Sequence, residues 1–291
     1  MSVWTVHLIC LALLAVDLGA RALRMRILAG ALGHRVGLGD AFAANALGDA
    51  ACALTPMRLG GEPARLAGLL RAGVPATATF VAIAFEAITM WPVIAATIVF
   101  IAYHHAPGWL ETAAPRLLDG LGRAWTWLAL AVGVSLALYL VVRRRVRVMP
   151  RITRRPWRRV RVYLRRLPAS TLVAAGALGF VNLATRTAIL PVLMLLLPEP
   201  PPLGPAILGS FALLYGQLAL PTPSGAGVVD LGFLAGVAGN TGAQGLSLLF
   251  WWRFYTSLLG VLLGAWAAVR LFGWAALKTM MMKGKGREAA T

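Results

Sequence analysis

Acidic residues are scarce in this chain of 291: ten Asp and Glu stand against 28 Lys and Arg, leaving a formal net charge of +18 at pH 7. Cysteine and histidine are scarcer still. Cys10 and Cys52 lie in apolar segments at no metal-ligand spacing and read as small buried hydrophobes. His104 and His105 have no carboxylate or cysteine at ligand spacing, so they read as decoration at the outer end of a span and not as a metal site. His34 and Asp40 are set too far apart for an acyltransferase pattern. An aspartate-rich pyrophosphate motif, a phosphate-binding glycine loop and a nucleophile elbow are all missing. These absences leave no catalytic residue, metal or cofactor to assign, and no enzymatic activity is expected.

What the chain does have is apolar length. Hydrophobic residues make up 59% and charged residues 13% of it, with a mean hydropathy of +0.75. That composition belongs to a polytopic integral membrane protein. The positive charge concentrates in one connector, 143–166, which has no acidic residue and carries Trp157 and Tyr163 among its arginines. Beside membrane spans such a stretch reads as cytoplasmic retention and contact with anionic headgroups. No nucleic-acid module accompanies it, so a nucleic-acid partner is not expected. Trp91, Trp109, Trp125, Trp127, Trp251, Trp252 and Trp274 fall mostly near predicted span ends, as an aromatic belt would.

Spanning helices are predicted at about 2–20, 76–103, 125–142, 169–197 and 244–272, each close to the length a hydrocarbon core of roughly 30 Å demands. Arg21, Arg24 and Arg26 follow the first apolar stretch, which predicts an uncleaved first helix with its N-terminus outside. The basic connector and the tail at 273–291 then lie in the cytoplasm, while 104–124 and the loop at 198–205 face outward. Two segments, 38–72 and 206–240, each hold two apolar pieces too short to span. Both are interrupted by the same pattern, Thr55-Pro56-Met57-Arg58-Leu59-Gly60 and Thr222-Pro223-Ser224-Gly225-Ala226-Gly227. Proline removes a backbone donor and glycine admits left-handed torsions, so each copy should unwind a helix and free polar backbone groups. In lipid such groups are tolerated only inside protein or along a wet cavity.

Counting crossings makes 38–72 a re-entrant hairpin from the cytoplasmic side and 206–240 one from the outer side. The expected fold is therefore an all-α polytopic membrane protein with inverted-topology repeats, 1–103 and 169–272, and two opposed re-entrant helical hairpins. The connecting helix in 104–142 inverts the second copy. Paired interruptions of this kind point to a transporter's midplane site. Short packed helices at 206–220 and 228–240 without a repeat are the alternative that hydropathy leaves open.

At these two breaks the chain also resembles a known family. Leu54-Thr55-Pro56-Met57-Arg58-Leu59-Gly60-Gly61-Glu62-Pro63-Ala64-Arg65 is similar to the "lPgR-G-…-R" segment of the lysylphosphatidylglycerol synthase transmembrane family, the flippase-like domain of multiple peptide resistance factors. Leu220-Pro221-Thr222-Pro223-Ser224-Gly225-Ala226-Gly227-Val228-Val229-Asp230 is similar to that family's "P-t-P-G-G-x-G-v-x-E". The chain departs from the pattern at Ser224, where glycine is usual, and at Asp230, where glutamate is usual. Phe85-Glu86-Ala87 keeps the glutamate of an "E-R-…-D" helix motif without its arginine or aspartate. The resemblance implies a stand-alone copy without a synthase domain, seated in a bacterial inner membrane. It further implies a role in moving or handling lipids, of which aminoacylated phosphatidylglycerol, other phospholipids, polyprenyl-phosphate carriers and hopanoid-type lipids all stay open.

Charges inside spans are expensive, about 2.5–3.5 kcal/mol each at a helix centre, so each asks for a partner or a function. The candidates are Glu62, Glu86 and Asp230 with Arg58, Arg65, Arg186 and Arg253. Arginine's planar fork suits phosphate, and a helix starting after each break would add a positive dipole end. Together they predict a site for an anionic or phosphate-bearing lipid headgroup. Asn182 and Arg186 share a helix face at i, i+4, as do Arg253, Ser257, Gly260 and Gly264. Thr55, Pro56, Gly60 and Gly61 with Pro221, Thr222, Pro223, Gly225 and Gly227 are the candidate gating residues. The structural reading of the same charges is Arg–carboxylate pairing that fixes helix packing, and Arg58 and Arg65 could equally be cytoplasmic-side positive charges. The Gly260/Gly264 face leaves room for a homo-oligomer. Rival functions are an accessory subunit presenting lipid to a separate synthase or glycosyltransferase, and a lipid-modifying enzyme using Glu62, Glu86 or Asp230.

Overall fold

The computed structural model describes residues 2–56, 58–105, 160, 162–163, 167–217, 222–241 and 243–274. The predicted 125–142 helix, most of the basic connector, Met57, Pro221 and nearly all of the 273–291 tail lie outside the described residues. The chain divides into two compact units, Met1–Ile94 with Arg166–Thr291, and Ala95–Arg165. Both breaks and all the candidate charges lie in the first unit.

The described residues are helical and include no strand beyond one isolated bridge. In chain order the helices are α1 (Val3–Ala31), α2 (Leu38–Leu54), α3 (Gly61–Arg71), α4 (Ala76–His105), α5 (Ala169–Met194), α6 (Leu203–Gly216), α7 (Val228–Thr241), α8 (Ala243–Arg253), a π-helical turn (Phe254–Leu258) and α9 (Leu259–Phe272). Among the described residues four stretches are long and apolar enough to cross a membrane: Val3–Ala31, Ala76–Phe100, Ala169–Met194 and Gln244–Phe272. All four coincide with predicted spans.

The first of them corrects the expectation at its C-terminal end. Ser2 caps α1, its Oγ accepting from Thr5 N at 3.2 Å. The helix then continues far past residue 20 and stops only at Gly33, whose φ of +87° ends it as a left-handed cap. Arg21 and Arg24 are thus interior helix residues, both buried, and not charges flanking a short span. Val6, Cys10, Leu14, Asp17, Arg21, Arg24 and Leu28 form one buried stripe at intervals of three and four, the period of a helix packed along its length. This stripe lies on α5. Its N-terminal third joins Ile189, Leu190, Leu193, Phe233, Leu248 and Trp252 in the main core. Trp252, expected in an aromatic belt, is fully buried and stacks on Phe233 at 5.6 Å.

Small residues let the short helices come close. Gly48 and Gly61 face each other between α2 and α3, and a side chain at Gly61 would meet Cys52 Sγ. On the other side of α2, Gly264 of α9 packs on Ala46 and Ala50. The Gly260/Gly264 face, read as free for self-association, is therefore occupied within the chain. A hydrogen bond of 2.7 Å from Ser210 Oγ to Thr187 O ties α6 to α5.

Candidate functional site

Each predicted break falls between two short helices. Thr55 ends α2, donating from Oγ1 to Ala51 O at 2.7 Å and accepting from Gly60 N at 2.8 Å, so one hydroxyl satisfies groups on both sides of the turn. Pro56 follows and cannot extend the helix. Gly60 precedes α3, which opens on Gly61 with Glu62 in its first turn. The second break repeats this order: Thr222, Pro223, a turn through Gly227, and α7 opening on Val228 with Asp230 in its first turn. The fourth position of the motif is left-handed in both copies, φ +58° at Arg58 and +65° at Gly225. Glycine takes that conformation freely, whereas arginine pays about 1 kcal/mol or more for it.

The two breaks touch. Pro56 and Pro223 form the isolated antiparallel bridge. Ser224 Oγ donates to Ala53 O at 3.1 Å, and Arg58 Nη1 donates to Gln217 Oε1 at 3.1 Å. Arg253 closes the junction: Nη1 donates to Ser224 O at 2.8 Å and Nε to Asp230 Oδ1 at 2.7 Å. Asp230 Oδ2 also accepts from Gly227 N at 3.0 Å. Immediately after Arg253 the helix loosens into its π-turn, a distortion that often accompanies functional side chains. A groove of about 320 Å³ runs beside the junction, with Arg253, Ser224 and Ser257 as its polar wall and Phe250, Phe254 and Val261 as its apolar one. A larger cavity of about 1170 Å³, bounded by Leu190, Met194, Pro201, Ala206 and Phe233, carries Glu199 at the loop before α6.

The remaining candidate charges belong to a buried ion network. Arg21 holds Asp49 with two parallel hydrogen bonds, 2.7 and 2.6 Å, and reaches Asp17 at 3.3 Å. Asn182 donates to Asp17, and Arg186 pairs with Asp17 at 3.5 Å and with Asp49 at 4.0 Å, so the predicted Asn182/Arg186 face is a shared one. Glu86 bridges Arg24 and Arg65, taking one on each carboxylate oxygen, and Arg65 also reaches Glu62 at 3.3 Å. Gly179 leaves the room that the Arg24 guanidinium fills. Arg65 is therefore a buried partner of Glu86 and not a surface charge, and the pairing reading of Arg186 and Arg253 is met as well. Among the described residues the Nε donors of Arg21, Arg24 and Arg65 are buried with no hydrogen-bond acceptor, and Thr222 Oγ1 is buried without a partner. Asp17, Arg21, Arg24, Asp49 and Gln217 were not among the sequence candidates. The signal for the first three is the three-four stripe of α1, which continues unbroken from Leu14 to Leu28.

Each motif that carries the resemblance thus lies between two helices, with Glu62 in the first turn after the first break and Asp230, paired with Arg253, after the second. The family model of the lysylphosphatidylglycerol synthase TM region matches residues 1–264. The chain belongs to that family. No curated protein and no solved structure matches it. Membership and the four apolar helices make this chain a multi-pass membrane protein with a lipid-related role.

Proposed function

We propose that this family member moves a lipid headgroup across the bacterial inner membrane through the junction of its two breaks, without chemically altering the lipid. The observation that carries the reading is the meeting of two like breaks beside a largely apolar groove, with Arg253, which pairs with Asp230, at its wall. Such a groove suits an acyl chain, and the paired charges of the junction beside it suit a polar head. In this reading α2–α3 and α6–α7 are re-entrant hairpins of an inverted repeat. Their shared motif, shared left-handed fourth position and acidic first turn after each break support it. Frayed backbone at membrane depth is tolerated because each break satisfies the other's polar groups. The arginine-rich connector then lies in the cytoplasm and the N-terminus outside.

The test reconstitutes the protein into liposomes with labelled phospholipids and measures how much inner-leaflet label an impermeant quencher reaches. Protein-dependent access is expected, and it should fall sharply in Arg253→Gln/Asp230→Asn, a double variant that leaves the junction's net charge unchanged. No access across anionic and zwitterionic lipids, or full access in the double variant, refutes the reading.

A further inference from the structure

The two breaks are one turn built twice. In each, the N of the fourth residue donates to the threonine O, at 3.3 Å for Arg58 and 3.1 Å for Gly225, and the N of the fifth to the proline O, at 3.2 Å for Leu59 and 2.9 Å for Ala226. The closing glycine's O then accepts from the residue four on, Ala64 at 3.1 Å and Leu231 at 2.8 Å. The copies part at a single donor. Gly60 N goes to the hydroxyl of its own threonine, Thr55, whereas Gly227 N goes to Asp230 Oδ2. Thr222 Oγ1, the counterpart of the Thr55 hydroxyl, is buried and has no partner among the described residues. The second break thus offers two acceptors to one amide, a hydroxyl and a carboxylate, and uses the carboxylate.

The closing glycines differ in the same way. Gly60 is right-handed at φ −72°, and a side chain there would strike Thr55. Gly227 is left-handed at φ +86°, with nothing within 4 Å of where its Cβ would stand. Glycine occupies both basins about equally well, so Gly227 has the space and the freedom to take up the torsion of Gly60. Arg253 holds it where it is. Its Nη1 donates to Ser224 O, before the glycine, and its Nε to Asp230, after it, so one guanidinium staples the turn across Gly227. Ser224 is itself left-handed at φ +50°, a torsion that costs a serine energy and persists only where its surroundings impose it.

We propose that the second break is a two-state latch. In the observed state Gly227 N rests on Asp230 and Arg253 clamps both sides of the turn. In the other, Gly227 turns right-handed, its N–H passes to Thr222 Oγ1, and the start of α7 carries Asp230 off Arg253, opening the junction. The first break, whose hydroxyl is already in use, stays fixed. The latch depends on the transport reading only for its purpose, the opening of the path; the two turn states stand without it.

In a background lacking Cys10 and Cys52, nitroxide labels at the exposed Leu231 of α7 and Leu262 of α9 report the separation of these helices by double electron–electron resonance in liposomes. Labelled-phospholipid access is measured on the same variants. Wild type is expected to give a major distance and a minor one. Gly227→Ala penalises the left-handed turn and should enrich the minor distance at least about fivefold. Thr222→Val removes the second acceptor and should abolish the minor distance and reduce lipid access. It should melt no lower than wild type, because the hydroxyl it removes has no partner in the observed state. One distance shared by wild type, Gly227→Ala and Thr222→Val overturns the latch, as does a Thr222→Val protein that melts as far below wild type as Thr55→Val. Both distances without lipid access would leave the latch standing and refute transport. Wild-type lipid access in a Thr222→Val protein that has lost the minor distance would leave transport standing and overturn the latch as its gate.

Discussion

Replacing Glu86 by glutamine should destabilise the fold by about 3–5 kcal/mol, the usual penalty for removing one partner of a buried ion pair. Glu86 sits on α4, is 6% exposed, and accepts from Arg24 on one oxygen and Arg65 on the other. Glutamine keeps the shape but leaves two guanidiniums facing each other. Glu62, whose side chain is 61% exposed, answers Arg65 only weakly, and Arg24 has Met90 Sδ at 3.6 Å as its other neighbour. A loss of that size lowers the melting temperature by on the order of 6–10 °C for a chain of this length. Thermal unfolding of the detergent-solubilised protein measures it. The decisive comparison is the double variant Glu86→Gln/Arg24→Met, which removes the more deeply buried of the two charges that the single variant orphans and the repulsion between them, and should recover part of the stability. A single variant that costs less than about 1 kcal/mol, or a double variant no better than the single, would refute the account of α4 as a helix pinned by charge.

Gly264→Leu should lower the monodisperse folded fraction sharply, because even a Cβ there runs into Ala50 and Ala46 and overpacking costs about 1–3 kcal/mol or more; Gly260→Ala, whose nearest neighbour would be Asp49 Cβ at 3.7 Å, should be tolerated on size-exclusion chromatography. Thr55→Val removes the acceptor of Gly60 N and should cost about 1 kcal/mol in unfolding free energy. In a background lacking Cys10 and Cys52, cysteines at Ala53 and Ser224 should be joined by a short thiol cross-linker, since Ser224 Oγ lies 3.1 Å from Ala53 O. An electrophoretic mobility unchanged by the reagent would place the breaks apart.

Much of this architecture comes from local chemistry that one residue's neighbours dictate. Apolar runs of spanning length make α1, α4, α5 and the α8–α9 rod, and Thr-Pro followed by a late glycine ends α2 and starts α3 wherever the segment sits. The helix breaks, the candidates Glu86, Arg186 and Arg253, and the family resemblance are legible for that reason. Arg21 and Arg24 are misread from sequence because a charge that ends an apolar run looks the same whether it meets water or a carboxylate. Only packing distinguishes the two, and only the buried three-four stripe of α1 hints at it.

Pairing was decided by tertiary structure. Asp49 meets Arg21 across 28 positions, Glu86 meets Arg24 across 62, and Asn182 meets Asp17 across 165. No local propensity encodes which charges meet over such separations. They are set by the close approach that Gly48, Gly61, Gly179 and Gly264 allow between helices, and by the need of every buried charge to find its opposite in a medium that cannot solvate it. The sequence by itself determined the helices, the two breaks and the stock of charges. The fold decided that the breaks touch, that Asp17, Asp49, Glu62, Glu86 and Asp230 are matched, and that Arg58 is left at the junction with a neutral partner among the described residues.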